Sequence, residues 1–372
     1  MAKIFPPESP HQVSPSLGAH RPSAQNHLRP SLQPQTLPSA PLQLQPSHRP
    51  SRNGQDAMVG QVFDGEFEIQ RPIGSGSHAD VYLARQRSLG NREVAIKVLS
   101  RHYMTLPEID FRRAAQGLQR EGQLLGELHS NCFVDVYRAG VLPDQRPYLA
   151  LELVEGPTLA DLISAPQRPD LETILDLLHQ WADGLAELHA RGWVHRDVTP
   201  RNAMVEETKF GTRRLMTYDF GTATQITGRP DRFRTGWERD RPMGTATYMS
   251  PEQAAGGVVD GRSDQYALAA IAYELLTGMR AMRTDGTSAA AVLQYLRGQG
   301  QIPVQPLQEL RPELPAEACQ VIHAAMDRQA ERRFDDVEAF VRALERALRG
   351  LPLPVQKPPS LLGRLFKLGA KT

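Results

Sequence analysis

The chain has 372 residues, 40% of them hydrophobic, so it can form one large domain or two lobes with flanking tails. Its formal net charge of +1 gives no reason to expect a nucleic-acid partner. Cys132 and Cys319 lack metal-ligand spacing and are predicted to be buried free thiols. No run approaches the roughly 20 apolar residues that cross a bilayer, and the N-terminus lacks the apolar stretch of a secretory signal. We therefore predict a cytoplasmic protein without a transmembrane segment.

The first 60 residues have the composition of a disordered segment. Eleven of the 30 prolines lie before residue 51, mixed with Ser, Gln and His, and there is almost no periodic apolar pattern. Such a segment buries too little surface to offset its chain entropy. Its four histidines, His11, His20, His27 and His48, are irregularly spaced and lack Cys or acidic neighbours, which favours disorder over metal binding.

From about Phe63 the pattern is that of an α+β protein. The first half predicts strands and one helix: a hairpin over 67–83, a strand over 93–99, a helix over 110–128 and a strand over 148–153. The second half predicts helices over 171–188, 264–276 and 335–349. Strands and helices in separate blocks favour two lobes, over 63–155 and 156–349. Residues 350–372 are predicted to be a Pro-rich and then basic tail.

A glycine turn lies inside the first hairpin. Gly74 and Gly76, in the run from Ile73 to Val81, would let backbone N–H groups approach phosphate oxygens without a Cβ in the way. A Gly-x-Gly turn alone is a weak signal. A dinucleotide-binding turn would open a helix, whereas a strand follows here, and no Gly-Lys-Ser/Thr of a P-loop is present.

Lys97 lies in the apolar strand that follows. A lysine in such a strand is costly unless its charge has partners, which phosphates and a carboxylate would supply. Glu121 is the better candidate for the carboxylate because it lies beside the packing face of the predicted helix. Glu127, the alternative, lies close to the helix end.

Three further side chains suit phosphoryl transfer. Asp197 lies in the run WVHRDVTPRN, which ends at Asn202, and Asp219 lies in LMTYDFG. Phosphoryl transfer needs an aspartate to accept or orient the hydroxyl nucleophile, together with oxygen ligands for Mg²⁺. Asp197 suits the first role, and Asn202 and Asp219 suit the second.

Over residues 63–349 the sequence resembles the eukaryotic-like (Hanks-type) serine/threonine protein kinase family, bacterial type. The segments that carry the resemblance are GSGSHADV, VAIK, HRDVTPRN, DFG and GTATYMSPEQ. The resemblance implies a two-lobed protein kinase fold, ATP as phosphoryl donor with Mg²⁺ or alternatively Mn²⁺, and protein substrates. Dimerisation for trans-autophosphorylation would fit such an enzyme.

The resemblance also assigns roles at the nucleotide and metal sites. Lys97 would hold the α- and β-phosphates and pair with Glu121, Asp197 would be the catalytic base, and Asn202 and Asp219 would bind metal. Leu151 would be the gatekeeper, and the hinge from Glu152 to Val154 would bind adenine through its backbone. The residues implied in ATP binding are Ile73, Gly74, Ser75, Gly76, Val81, Ala95, Lys97, Glu152 and Val154.

Other positions match family residues whose role is structural and not catalytic. These are the lobe-joining stack of Leu125, His195 and Phe220, the buried ion pair of Glu252 with Arg333, and Asp264, which would hold the catalytic loop. On this reading His195 belongs to the core and is not an acid or base.

Two residues bear on acceptor and activity. Thr245 occupies the position that accompanies Ser/Thr specificity, whereas Thr199 replaces the lysine that usually contacts the transferring phosphate. A missing cation weakens transition-state stabilisation, and Arg201 nearby is a candidate substitute. We predict an active kinase; the alternative is a pseudokinase scaffold. A small-molecule phosphotransferase with a kinase-like fold is disfavoured, because such enzymes typically have a His-Gly-Asp catalytic loop and lack the Ser-Pro-Glu segment.

The segment 221–244 is arginine-rich and resembles an activation loop. Arg196 directly precedes the catalytic Asp197, and a phosphate bound beside this loop would pair with its charge. Candidate phosphorylation sites are Thr222, Thr224, Thr227 and Thr235. The arginines could equally form a solvated surface for acidic substrates, because Asp and Glu residues lie among them.

Overall fold

A computed structural model describes residues 57–76, 78–209, 211–229, 246–282, 289–298 and 305–353. Most of the predicted disordered N-terminal segment, most of the C-terminal tail, Thr235 and Thr245 lie outside the described residues. In the described part of the chain, no helix is both long and apolar enough to span a membrane.

The first half forms an antiparallel sheet with one long helix. The six strands are β1 Val62–Phe63, β2 Phe67–Ser75, β3 Ala79–Gln86, β4 Arg92–Leu99, β5 Val136–Val141 and β6 Pro147–Leu151. They are arranged in the order β1-β2-β3-β4-β6-β5. The helix, α1 Glu108–Glu127, lies between β4 and β5 in the chain and packs against β6.

The second half is mainly helical in the part that the structure describes. Its helices are α2 Leu159–Ser164, α3 Leu171–Ala190, α4 Pro251–Ala254, α5 Gly261–Thr277, α6 Ala289–Leu296, α7 Leu307–Leu310, α8 Ala316–Ala325 and α9 Val337–Leu348. Two small sheets join β8 Ala203–Glu207 to β9 Arg213–Thr217, and β7 Trp193–Val194 to β10 Thr224–Gln225. Together the halves give the predicted two-lobed α+β architecture.

Helix α5 is the centre of the helical lobe. Every residue from Ser263 to Leu276 is buried, as its nearly continuous apolar pattern predicts. One hydrophobic cluster runs from α1 and β6 through α3 and α5 to α9, so the two lobes share a core. A second cluster, including Phe67 and Tyr148, covers the other face of the sheet.

The structure differs from two predicted boundaries and adds one strand. Residues 57–60, predicted to be disordered, form a turn in which Met58 is buried and its Sδ lies 3.4 Å from Arg146 Nη2. The strand predicted over 148–153 ends at Leu151, which leaves Glu152 and Val154 outside the sheet. Strand β5 was not predicted, because its residues are largely exposed and carry no clear alternation.

The cysteine prediction is confirmed. Cys132 and Cys319 are both buried and both free.

Candidate active site

Lys97 connects three parts of the chain. On β4 it lies opposite Val81 of β3 and Leu149 of β6. Its Nζ lies 2.7 Å from Glu121 Oε1 on α1 and 3.1 Å from Asp219 Oδ1, which follows β9. The predicted pairing with Glu121 is therefore present, whereas Glu127 is the exposed last residue of α1. The two carboxylates beside this partly buried lysine explain how its charge is tolerated in the strand.

The pKa values of the three groups reflect this arrangement. Burial alone would lower the pKa of Lys97, but the charges of Asp219 and Glu121 outweigh it and hold the pKa above its ordinary value. Burial raises the pKa of Glu121 in spite of Lys97. Burial also acts to raise the pKa of Asp219, but Lys97 and the Gly221 N–H hold it below its ordinary value. Lys97 is therefore a cation, and Asp219 is ionised.

Glu121 also holds the segment that carries Asp219. Its Oε1 accepts the backbone N–H of Phe220 at 3.1 Å, and Asp219 Oδ1 accepts the N–H of Gly221 at 3.2 Å. A Cβ on Gly221 would lie only 3.2 Å from Asp219 Oδ1, so a side chain there would crowd this carboxylate. Helix α1 thus fixes the position of Asp219 as well as that of Lys97.

Asp197 and Asn202 are joined directly. Asn202 Nδ2 donates to the Asp197 carbonyl oxygen at 2.9 Å and to Asp197 Oδ2 at 3.0 Å. The backbone N–H of Tyr218 donates to Asn202 O at 3.2 Å, and the Tyr218 hydroxyl donates to Arg201 O. These bonds connect the loop of Asp197 to the residue preceding Asp219.

The oxygens of Asn202 and Asp219 fit a hard divalent cation. Among the described residues, neither Asn202 Oδ1 nor Asp219 Oδ2 forms a hydrogen bond, and the Asp219 side chain is 42% exposed. No group of three or more His, Cys, Asp or Glu side chains in the described residues could hold a metal. Two protein oxygens are the set expected for Mg²⁺, which takes its remaining ligands from phosphates and water.

A ring stack lies behind this cluster. The ring of Phe220 lies 4.7 Å from that of His195 and 5.0 Å, edge-on, from that of Phe133, and Leu125 is buried in the same core. His195 is fully buried, and burial lowers its pKa. The ring is therefore neutral and structural, as predicted for the stack. Phe133 is a member that the sequence did not reveal.

The loop around Asp197 is held from α5. Asp264 accepts the backbone N–H groups of His195 and Arg196, both at 2.8 Å, and contacts His189 Nε2 at 2.8 Å. Gln253 Nε2 donates to Arg196 O at 2.9 Å. Asp264 was expected here. His189 was missed because it lies in no motif, and Gln253, the last residue of GTATYMSPEQ, was not assigned a role from the sequence.

Residues 67–343 match the protein kinase domain family. The chain belongs to this family. It is 35% identical over 82% of its length to the serine/threonine-protein kinase Pkn1 of Myxococcus xanthus, covering 41% of that protein. It is 32% identical over 77% of its length to PrkC of Bacillus subtilis, covering 41%, and 31% identical over 81% to PknA of Mycobacterium tuberculosis, covering 66%. The chain thus spans less than half the length of Pkn1 and PrkC.

The glycines of the kinase Gly-rich loop are not required by the fold. Gly74 pairs with Val81 across the hairpin, and Gly76 N–H donates to Ala79 O at 2.9 Å. A Cβ at Gly74 or Gly76 would meet neighbours no closer than 3.6 and 3.5 Å, which are ordinary contacts. Glycine at both positions therefore fits a ligand that approaches the backbone. Ser75 Oγ lies 3.0 Å from Asp80 Oδ1 at the edge of this loop.

The hinge follows the pairing of β4 with β6. Ala95 lies opposite Leu151, the expected gatekeeper, and both are buried. The N–H of Glu152 already donates to Asp135 O at 2.9 Å, and its carboxylate pairs with Arg214. The backbone N–H of Glu152 is therefore already bonded within the protein. Ile73, Val81 and Val154 are partly buried against the main core, as residues at the mouth of a binding site would be.

The ion pair expected at the base of the helical lobe is present. Both guanidinium nitrogens Nη1 and Nη2 of Arg333 lie 2.8 Å from the Glu252 carboxylate, and the Arg333 side chain is fully buried. Ser263 Oγ donates to Glu252 Oε1 at 2.6 Å. The pair joins α4 to the segment before α9.

Thr199 marks the departure from the family pattern. It is buried, and its carbonyl accepts the N–H of Asn202 at 3.0 Å. Arg201, the candidate substitute cation, is exposed.

Proposed function

We propose that this chain is an ATP-dependent protein kinase that transfers the γ-phosphoryl group to serine or threonine hydroxyls of proteins. The observation that carries the proposal is the double contact of Lys97 with Glu121 and Asp219. It joins β4 and α1 to the segment after β9, and it sets a cation beside the carboxylate that would bind metal. This is the arrangement that phosphoryl transfer requires.

The nucleotide would bind between the lobes. Lys97 would hold the α- and β-phosphates while Glu121 fixes its ammonium group, and the backbone of Gly74 and Gly76 would approach the phosphates. The carbonyl of Glu152 and the N–H of Val154 would bind adenine. Among the described residues, neither the Glu152 carbonyl nor the Val154 N–H forms a backbone hydrogen bond.

Asp197 would act on the acceptor hydroxyl. Its carboxylate is oriented by Asn202 and would accept or orient the hydroxyl proton. Asn202 and Asp219 would hold Mg²⁺, or Mn²⁺ in its place, which neutralises charge on the phosphates. Without a lysine at Thr199, one cation fewer would face the transferring group, so we infer a modest turnover.

The relatives support activity over the pseudokinase alternative. Pkn1, PrkC and PknA are all named serine/threonine-protein kinases. Lys97, Glu121, Asp197, Asn202 and Asp219 are all retained in this chain, and the contacts of Lys97 with Glu121 and Asp219 and of Asn202 with Asp197 support their proposed roles.

Phosphorylation of a protein substrate with radiolabelled ATP and Mg²⁺ tests the proposal. The wild type should incorporate label, and the near-isosteric Asp197→Asn variant should lose at least about 100-fold of the rate, because it removes the base but keeps the volume. Calorimetric ATP binding should be retained in the variant. Equal incorporation by both proteins would refute intrinsic transfer by this site.

We further propose autophosphorylation of the activation loop, with Thr227 as the preferred acceptor among the described threonines. Thr222 Oγ1 donates to His195 O at 2.9 Å, and Thr224 lies in β10, whereas Thr227 is exposed. A phosphate there would be a partner for the buried Arg196. Mass spectrometry after incubation with ATP and Mg²⁺ should find it, and an unmodified loop would refute it. A trans reaction between two copies would make the specific rate rise with protein concentration.

A further inference from the structure

The turn of the Gly-rich loop is attached to the end of β4. The backbone N–H of Ser100 donates to His78 O at 2.9 Å, and Ser100 O in turn accepts the N–H of Tyr103 at 3.1 Å. Ser100 is therefore bonded on one side to the turn and on the other side to the short 3₁₀ helix over 101–105. This brings the side chains of His78 and Tyr103 to the same place.

The two rings are stacked. Their centroids are 5.9 Å apart and their planes differ by 26°. His78 is exposed, whereas Tyr103 is partly buried and packs against the core that the two lobes share. The turn of the Gly-rich loop therefore contacts the core through the stacking of His78 on Tyr103.

Tyr103 in turn faces α1. The helix begins at Glu108, five residues further on, and contacts the 3₁₀ helix of Tyr103. Burial and then the charge of Asp110, in the first turn of α1, raise the pKa of Tyr103, as expected if its hydroxyl faces that turn. The same helix carries Glu121, which pairs with Lys97 at 2.7 Å.

We propose that His78 is a positioning residue: by stacking on Tyr103 it fixes the Gly-rich loop relative to α1, so that ATP affinity depends on the two rings together. The inference rests on the proposed function, in which this loop covers the phosphates of ATP. Without the stack, the loop samples more conformations, and ATP must order it on binding. An aromatic pair contributes about 0.5–1.5 kcal/mol, which corresponds to roughly two- to twelvefold in affinity.

The test is calorimetric titration of the full chain with ATP and Mg²⁺. His78→Ala and Tyr103→Ala should each weaken ATP binding by about three- to tenfold, and the double variant should be no weaker than the weaker single variant. His78→Phe keeps an aromatic ring and should stay within about twofold of the wild type. His102→Ala is the matched control, because His102 is exposed and only edge-on to Tyr103 at 6.1 Å.

Unchanged affinity in His78→Ala, or single effects that multiply in the double variant, would overturn the inference. If Tyr103→Ala does not fold, the two variants of the exposed His78 are enough for the test. ATP affinity that is weakened in His78→Ala and restored in His78→Phe supports the stack, whereas equally weak affinity in both variants refutes it. Calorimetry needs no phosphoryl transfer. A wild type that binds ATP without phosphorylating protein would refute the proposed function and leave the coupling measurable.

Discussion

Asp264 Oδ1 accepts the backbone N–H of Arg196 at 2.8 Å, at a point where the Arg196 backbone has a φ of +68°. A left-handed conformation at a residue other than glycine costs of order 1–3 kcal/mol and persists only where its surroundings impose it. Asp264 also accepts the N–H of His195, and Gln253 binds Arg196 O. The strained residue next to Asp197 is therefore fixed from α5 and α4.

We predict that Asp264→Asn destabilises the protein by about 1.5–3 kcal/mol, because it removes the charge that accepts two buried N–H groups. Urea unfolding of the full chain measures the change. Asp335→Asn is the control: Asp335 is 74% exposed, 3.5 Å from Arg262, and should change stability by no more than about 0.5 kcal/mol. Equal effects of the two substitutions would contradict the prediction.

The Glu252–Arg333 pair predicts a pH dependence of stability. Burial acts to raise the pKa of Glu252, but the hydrogen bond and charge of Arg333 hold it below the ordinary value of 4.5. A carboxyl whose folded pKa is lowered contributes stability above its unfolded pKa and loses it as pH falls through the folded pKa. We therefore expect Glu252→Gln to cost about 3–5 kcal/mol at pH 7, because Arg333 is left buried without its partner.

That cost should shrink as the pH falls below about 4.5 toward the lower folded pKa, because the carboxyl of the unfolded wild type then binds a proton that the folded one still resists. Urea unfolding of the wild type and Glu252→Gln at pH 7 and at pH 4 measures the two differences. A cost that is the same at both pH values would show that the ionised carboxylate is not what stabilises the pair.

Site residues that stand within a short sequence motif were predictable. Lys97, Asp197 and Asp219 each stand in a short segment whose residue types suit one chemical role, and Glu121 follows from helix periodicity. The contacts of Lys97 with Glu121 at 2.7 Å and with Asp219 at 3.1 Å then follow from a fold that the same segments indicate.

Partners distant in the chain were not predictable. Gln253 binds Arg196 across 57 residues, and His189 binds Asp264 across 75. Each is a polar residue whose partner is set by tertiary packing, so the local sequence around it does not identify that partner. Met58 was missed for a related reason: two adjacent apolar residues, Met58 and Val59, in an otherwise polar stretch give no periodicity, yet Met58 is buried beside Arg146.

Glu121 should matter for catalysis more than for stability. Burial raises its pKa, so the ionised carboxylate is costly to the fold, and Gln removes that cost while keeping the volume. We predict that Glu121→Gln lowers kcat/KM by about 10–100-fold, a loss of roughly 1.4–2.7 kcal/mol of transition-state stabilisation. The free energy of unfolding should fall by less than about 1 kcal/mol or rise.

Glu127→Gln is the matched control on the same helix, because Glu127 is exposed at its end. Steady-state kinetics and urea unfolding of the three proteins test the prediction. If Glu127→Gln lost as much activity as Glu121→Gln, the contact of Glu121 with Lys97 would not be the cause.

Gly122, the neighbour of Glu121, sets how closely α1 approaches the sheet. A Cβ at this position would lie 2.6 Å from Leu149 Cδ2, and Leu149 is the buried residue opposite Lys97 on β6. Gly122→Ala should therefore push α1 away from β6 and lengthen the Lys97–Glu121 contact. We expect kcat/KM to fall by about tenfold, since charge-assisted hydrogen bonds depend on close geometry.

The control separates this contact from helix propensity. Gly126 lies on the same helix, and a Cβ there would meet nothing within 4 Å. Gly126→Ala should stabilise the protein by about 0.5–1 kcal/mol and leave kcat/KM unchanged, because alanine restricts the unfolded chain more than glycine does. In Gly122→Ala the same gain is opposed by the clash with Leu149. Full activity in Gly122→Ala would show that α1 can shift along β6 without moving Glu121 from Lys97.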